Sequence, residues 1–262
     1  MSNQNSPSEW SQFETLSTDD PTSITWASRG GDGSGKSYFG CTAPSPIFVC
    51  GFDVHGMSRV DKTVRADKDI RIGRYGFNHL RKVEDRSVVR REAKKIWEKF
   101  TDDYEEAIKH VRTVLWDRED LAWELLRFAS FGGEKNEGSK TGALDYGDLN
   151  AEYVSLIQSA RDANVNLGLL QGLTEKWVAK FDPQSGKMRN YNTGDPVPDG
   201  FKKVADHVDI TLNHRWDEKA KEYVVKIGKF PNKAEKDKEI ANLSFGEMAI
   251  NAFPDSDVNC WL

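Results

Sequence analysis

An α/β fold of three layers around a mostly parallel central sheet, with a β-hairpin towards the C-terminus, is what this 262-residue sequence predicts. Three observations carry that expectation. Short apolar runs recur along the chain and read as strands covered on both faces. Charged stretches with apolar residues at helical spacing lie between them. A glycine-rich turn separates the first strand-like run from the first helix-forming one. Strands that alternate with helices in this way belong to layered α/β sheets.

The elements follow in order. Ile24-Thr25-Trp26-Ala27-Ser28 is β-prone and runs into Arg29 and the glycines after it. Residues 47–54 are nearly all apolar, with Asp53 near the end, as a strand buried on both faces requires. Residues 87–110 place Val88, Ala93, Ile96, Trp97, Phe100, Tyr104 and Ile108 at helical spacing. Residues 112–117 form another apolar run ending in an acid, and 121–131 read as the helix after it. Residues 132–147 are a polar loop rich in Gly, Lys and Glu; 150–164 are helical by pattern and 165–171 a buried strand. Pro183, Pro196 and Pro198 punctuate 175–204, which reads as a flexible loop or a hairpin. Strands at 208–216 and 223–230 are joined by the charged turn Asp217-Glu218-Lys219, and 245–252 is a last short helix. This divides the chain into a flexible acidic arm (1–22), one α/β domain (23–252) and a tail (253–262) for which fraying is the expectation.

Composition narrows the function classes. Eight Trp and 37% hydrophobic residues are enough for a real core without disulfides or a structural metal, and argue against wholesale disorder. No run approaches the roughly 20 apolar residues of a membrane span, and the N-terminus lacks the basic start and apolar stretch of a secretory signal. Cys41, Cys50 and Cys260 form no CxxC pair, which points to a reducing, cytoplasmic setting. The five His show no zinc-ligand spacing, and no GxSxG or Cys–His pattern supports a nucleophilic hydrolase.

The strongest motif is Gly30-Gly31-Asp32-Gly33-Ser34-Gly35-Lys36-Ser37, a match to GxxxxGK[ST] between a strand and a helix-forming stretch. Glycines let successive backbone N–H groups turn inward around an anion. Lys36 is placed to reach the β- and γ-phosphates of a nucleotide and the Ser37 hydroxyl to ligate Mg²⁺, so the predicted cradle runs from Gly30 to Tyr38. Such a loop needs an acid at the end of a buried strand to hold the metal through water. Asp117 is the candidate, and it also suits the N-cap of the helix that follows. Asp53 reads as a second metal-side acid, a group orienting the attacking water, or a strand-end acid without chemistry. Glu119 reads as an acid on the solvent face of the helix. The choice of general base stays open.

The loop at Gly30–Ser37, the block Thr113-Val114-Leu115-Trp116-Asp117 followed by Leu121-Ala122-Trp123-Glu124-Leu125, and Asn166-Leu167-Gly168-Leu169-Leu170-Gln171-Gly172-Leu173 occur in that order. Together they resemble the RecA-type P-loop NTPase core over about residues 22–231, and phage nucleotide-binding proteins, including core-only RecA-like single-strand-annealing recombinases, most of all. The resemblance implies an ATP- and Mg²⁺-binding ATPase acting on single-stranded DNA in phage-type recombination or replication. It also implies self-assembly into a ring or filament, a single-strand-binding or other recombination partner, and residence in the host cytoplasm. It gives Gln171 the role of sensing the γ-phosphate and relaying to mobile loops at 132–147 and 176–203; an amide capping a strand end is the alternative. Where RecA-type proteins carry a water-activating glutamate, this chain reads Asp53-Val54-His55-Gly56, so turnover is expected to be slow or to use Asp53.

Net charge at first opposes a nucleic-acid partner, since 37 Lys and Arg face 42 Asp and Glu. Position changes that reading. Glu9, Glu14, Asp19 and Asp20 lie in a stretch, 1–28, with no Lys or Arg, leaving 38 acids against all 37 basic residues. Residues 59–99 hold 14 Lys and Arg against 7 acids, and 176–203 hold six against three, interleaved with Trp177, Phe181, Tyr191 and Phe201. Basic groups neutralise phosphates and aromatic rings stack on unpaired bases; a solvated charged face with core aromatics is the plain alternative. Lys202 and Lys203 are also candidates for reaching a neighbouring subunit's nucleotide. Two rival functions share the same loop: a nucleotide or small-molecule kinase, and a nucleotide-gated scaffold without turnover.

Overall fold

Five strands of this chain end at one level, and that alignment positions everything discussed below. The structure, a computed structural model, describes residues 23–53, 60, 62, 66–133, 145–182, 187–256 and 258–261. The expected arm (1–22) and most of the expected 132–147 loop lie outside the described residues. Strands β1 (Thr25–Arg29), β2 (Ile47–Gly51), β3 (Ile70–Arg74), β4 (Thr113–Asp117), β5 (Asn166–Gln171) and β8 (Ile210–Asp217) lie parallel in the order β3-β2-β4-β5-β1-β8. Strands β9 (Glu222–Ile227) and β10 (Glu239–Ala241) extend the β8 edge antiparallel, completing eight strands. The fold is therefore α/β with a mostly parallel sheet, and β8–β9 is the expected C-terminal hairpin. In register, Gly51 stands beside Asp117, Asp117 beside Leu170, and Arg29 beside both Gln171 and Asn213.

Alternation along the strands sorts side chains onto two cores. Trp26, Ile47, Val49, Leu115, Ile210 and Leu212 face one side, beneath helices α1 (Lys36–Cys41) and α6 (Phe245–Ala252). Ala27, Cys50, Val114, Trp116, Leu167 and Leu169 face the other, beneath α2 (Arg86–Ala107), α3 (Glu119–Phe131), α4 (Asp145–Asp162) and the short α5 (Val204–His207). This is the three-layer arrangement. Asp85 caps α2 by accepting from the backbone N–H groups of Ser87 and Val88, and the helix buries Val89, Ala93, Trp97, Phe100 and Tyr104 at four- and three-residue steps. Trp116 sits at the middle, with Phe100, Tyr104 and Tyr153 edge-on to it at centroid distances of 5.3, 5.5 and 5.4 Å. A capping box of Ser244 and Glu247 starts α6, and the Phe245 N–H donates to Thr42 Oγ1 at the end of α1 over 2.8 Å.

Two details depart from the sequence reading, and one choice it left open is resolved. Residues 70–74 form edge strand β3 although Ile70-Arg71-Ile72-Gly73-Arg74 reads only as part of a basic stretch; pairing with the exposed edge of β2 overrides the weak local preference. The stretch from 175 resolves to the hairpin alternative, β6 (Leu173–Asp182) with β7 (Lys187–Pro198), a separate two-stranded ribbon that carries Pro196 and Pro198 on its edge. The tail does not fray over its described residues: Trp261 is buried, donates to Ser256 Oγ over 2.7 Å and packs against Phe245 and Phe253. Trp261→Ala should therefore cost about 3 kcal/mol of stability, read as a lower midpoint in urea denaturation; an unchanged midpoint would show the tail to be unattached.

Candidate phosphate-binding site

The loop from Gly30 to Gly35 leaves the end of β1 and enters α1 at Lys36. Its geometry explains its glycines. Gly33 and Gly35 have φ of 74° and 94°, the left-handed region that a Cβ disfavours. At Gly30 a Cβ would lie 2.5 Å from the His214 carbonyl oxygen and from Ser34 Oγ. At Gly35 it would lie 2.6 Å from the Tyr223 ring. The loop is thus wedged between β8 and β9 on one side and α1 on the other. Lys36 folds back over it, donating from Nζ to the carbonyls of Gly30 and Gly31 at 2.8 Å each and to Ser34 Oγ at 3.4 Å. Burial lowers the Lys36 ammonium pKa, and Asp32 opposes that shift. A cation half-withdrawn from water and held by neutral carbonyls is poised to exchange them for phosphate oxygens.

Opposite the loop stands Asp117. Ser37 Oγ donates to its Oδ1 over 3.4 Å, while Oδ2 is buried without a hydrogen-bond partner among the described residues. Burial, followed by the charge of Asp53, pushes its pKa up to about 6. Asp117 does not cap the next helix; Arg118, with φ of 64°, takes the N-cap position, so the carboxylate stays with the cleft. A cleft of about 390 Å³ brings together Asp32, Gly33, Ser34, Gly35, Lys36, Ser37, Tyr38, Asp53 and Asp117, with Val60 and Tyr223 added. Gly30 and Gly31 take part through the carbonyls that hold Lys36.

Gln171 lies one strand away from Asp117 and outside that cleft. Its Oε1 accepts from Arg29 Nε at 3.1 Å, and its Nε2 donates to Glu119 Oε2 at 2.9 Å and to the Asp199 carbonyl at 3.1 Å. Its own carbonyl accepts from the Gly30 N–H at 3.3 Å, so it touches the phosphate loop through the backbone.

Glu119 corrects the expectation of a solvent-facing acid: it is fully buried. Its carboxyl accepts from Tyr153 Oη at 2.7 Å, Gln171 Nε2 at 2.9 Å and the Phe201 N–H at 3.3 Å. Burial pushes its pKa up to about 8 against the pull of the Tyr153 and Gln171 donors. Next to it Asp120 is clamped by Arg118, with Nη2 to Oδ2 at 2.5 Å, and accepts from the Gly172 N–H at 3.2 Å. The acid pair Glu119-Asp120, separated from Asp117 by Arg118, is the sequence signal for this cluster. Tyr223, Trp216 and His214 carried none, because only strand pairing brings them to the loop. Tyr223 stacks on Tyr38 at 5.5 Å and meets Trp216 at 4.9 Å. His214 Nε2 pairs with Ser28 Oγ at 3.0 Å, and burial lowers its pKa to about 3, so it is a neutral spacer beneath the loop.

Two features fit a divalent cation held jointly with phosphates: a buried carboxylate oxygen without a partner, and a hydroxyl beside it. Among the described residues no cluster of three or more His, Cys, Asp or Glu forms a metal cage; Mg²⁺ ordinarily uses one or two carboxylates together with substrate phosphates. No protein-family model matches the chain, and no curated protein matches its sequence.

The Asp117 shift has a sign that can be checked. Its folded pKa lies above the unfolded value of 3.8, so between about pH 4 and pH 6 the folded state binds more protons and stability falls as pH rises. Asp117→Asn should remove that fall and stabilise the free protein at pH 7 by about 2–3 kcal/mol. Thermal midpoints of the two proteins from pH 4 to 8 decide it: parallel curves would contradict the burial argument.

Proposed function

We propose that the protein is a RecA-like P-loop NTPase that binds ATP with Mg²⁺, turns it over slowly, and acts on single-stranded DNA in phage-type recombination or replication. In this reading it works as a ring or filament in the host cytoplasm. The observation that carries it is the meeting of Ser37 and Asp117 across the glycine loop, with an unpartnered carboxylate oxygen on the buried side. Parallel order supports it too: β5, ending in Gln171, lies between the loop strand β1 and the acid strand β4.

The chemistry follows from what the residues can do. Backbone N–H groups of the glycine loop and Lys36, released from the Gly30 and Gly31 carbonyls, bind the phosphate oxygens. Ser37 would ligate Mg²⁺ and Asp117 would hold its water shell, and the ion would supply charge neutralisation at the β- and γ-phosphates. Asp53, at the cleft and at the end of β2, orients the attacking water and accepts its proton. Glu119 is engaged by three donors away from the cleft and is not placed to take that proton.

The β6–β7 ribbon supports the single-strand partner. Trp177, Phe181 and Met188 are 60–63% exposed and share one face by the cross-strand register. Lys180 and Arg189 pair across the other face beside Tyr191. Exposed rings with cations behind them stack bases and meet phosphates, each stacked base contributing about 1–3 kcal/mol. Phe201, the fourth aromatic of the segment, is buried against Trp123 and Tyr153 and belongs to the core instead. The 59–99 stretch contributes less: Arg91, Lys94, Lys95 and Lys99 pair with acids on α2 itself. No helix among the described residues is long and apolar enough to cross a membrane.

Phosphate release from ATP, measured with and without oligo-dT, tests the reading. The expectation is a slow basal rate, several-fold stimulation by the oligonucleotide, and at least tenfold loss in Lys36→Ala. Transfer of the phosphoryl group to a small acceptor would replace this function with a kinase, and ATP binding with no turnover would replace it with a scaffold.

A further inference from the structure

A cavity of about 720 Å³, larger than the phosphate cleft, lies apart from it. It opens between the outer side of α3 and the segment Asp199–Lys203, at the foot of the β6–β7 ribbon. Two of its three acids are already answered, Asp120 by Arg118 at 2.5 Å and Glu124 by Arg81 at 2.6 Å; the third, Asp199, is exposed and accepts from the Gly200 N–H at 2.9 Å. Its remaining cations are not answered. Arg127, half-buried on α3, and Lys202 and Lys203, exposed across from it, have no ion-pair partner among the described residues. These three cations outnumber the one remaining acid, Asp199, so the cavity keeps an excess of positive charge. An anion between them offsets that excess.

We infer that this cavity is a binding groove for the phosphate backbone of a single strand, which continues from the basic face of the ribbon to Arg127, Lys202 and Lys203. The inference rests on the single-strand reading above and adds the site where the backbone is held. The cavity is far larger than one phosphate needs, and its chain connection to the ribbon is short, since β7 ends at Pro198 and the groove wall begins at Asp199. Phe201 fixes that wall: its ring packs on Trp123 and Tyr153, and its N–H is held by Glu119. The two lysines that follow it are therefore presented from a rigid base rather than a loose loop. Arg118 lies in the same wall, one residue from Asp117, so groove and phosphate cleft share the start of α3.

The test is the salt dependence of fluorescent dT20 binding, followed by anisotropy from 50 to 300 mM salt. Each backbone contact contributes about 0.7 to the slope of log K against log salt for a single strand. The triple variant Arg127→Gln/Lys202→Gln/Lys203→Gln should lower the slope by about 2 and weaken binding at least tenfold at 100 mM. Arg127→Lys should keep the wild-type slope, which separates charge from packing. Trp177→Ala/Phe181→Ala should weaken binding with little change in slope, because it removes stacking alone. If the wild type binds and the triple variant keeps its slope, the groove is wrong while the single-strand function stands. If the wild type does not bind dT20 at all, both fall.

Discussion

Burying a carboxylate at the end of β4 is the constraint around which this molecule is arranged. Asp117 has given up water, faces the like charge of Asp53, and receives one long hydrogen bond from Ser37. Desolvating a charge without a partner is among the costlier things a fold can do. The aligned ends of β2, β4, β5 and β1 are what hold it there, with Gly51 on one side and Leu170 on the other. The unpartnered Oδ2 of such a group favours a cation beside it. The glycine loop opposite, with a lysine resting on its own carbonyls, is the complementary half: donors awaiting anions beside an acceptor awaiting a cation. In the proposed function, Mg²⁺ with a triphosphate would satisfy both halves at once.

Behind that cleft runs a second, buried layer of polar contacts. Arg29 bonds Gln171, Gln171 bonds Glu119 and the Asp199 carbonyl, and Glu119 bonds Tyr153 and the Phe201 N–H. Two of these links, from Gln171 to the Asp199 carbonyl and from the Phe201 N–H to Glu119, join the strand and helix ends to the segment that follows the β6–β7 ribbon. Such networks are stiff when fully satisfied, because each lost partner leaves a buried group exposed to the full desolvation penalty. A movement at the end of β1 or β5 is therefore felt at Asp199–Phe201 through contacts a few bonds long. Gln171 occupies the middle of this network rather than the cleft wall, so whatever it senses it senses through the Gly30 N–H and Arg29.

Much of this was legible in the sequence, for a reason that differs by element. The inner parallel strands β2, β4 and β5 could be read because they are covered on both faces and hence largely apolar; the phosphate loop could be read because its backbone demands glycine at fixed places. Asp117 followed from the loop by chemistry. Glu119 was misread because periodicity on α3 says which face a residue occupies but not that Tyr153 and Phe201 close over it from distant parts of the chain. Tyr223 and His214 were invisible for the same reason: their place at the loop is made by β8 and β9 pairing beside β1. Edge strand β3 was missed because it borrows its stability from β2, and Trp261 because nothing local distinguishes a docked tail from a frayed one.

The central claim is that one buried acid and one hydroxyl convert the glycine loop into a metal-dependent triphosphate site. Calorimetric titration of a non-hydrolysable ATP analogue with and without Mg²⁺, on the wild type and on Ser37→Ala, addresses it directly. The account predicts at least tenfold tighter binding with Mg²⁺ in the wild type and a largely abolished Mg²⁺ effect in Ser37→Ala. Equal affinity with and without the metal in the wild type would contradict it.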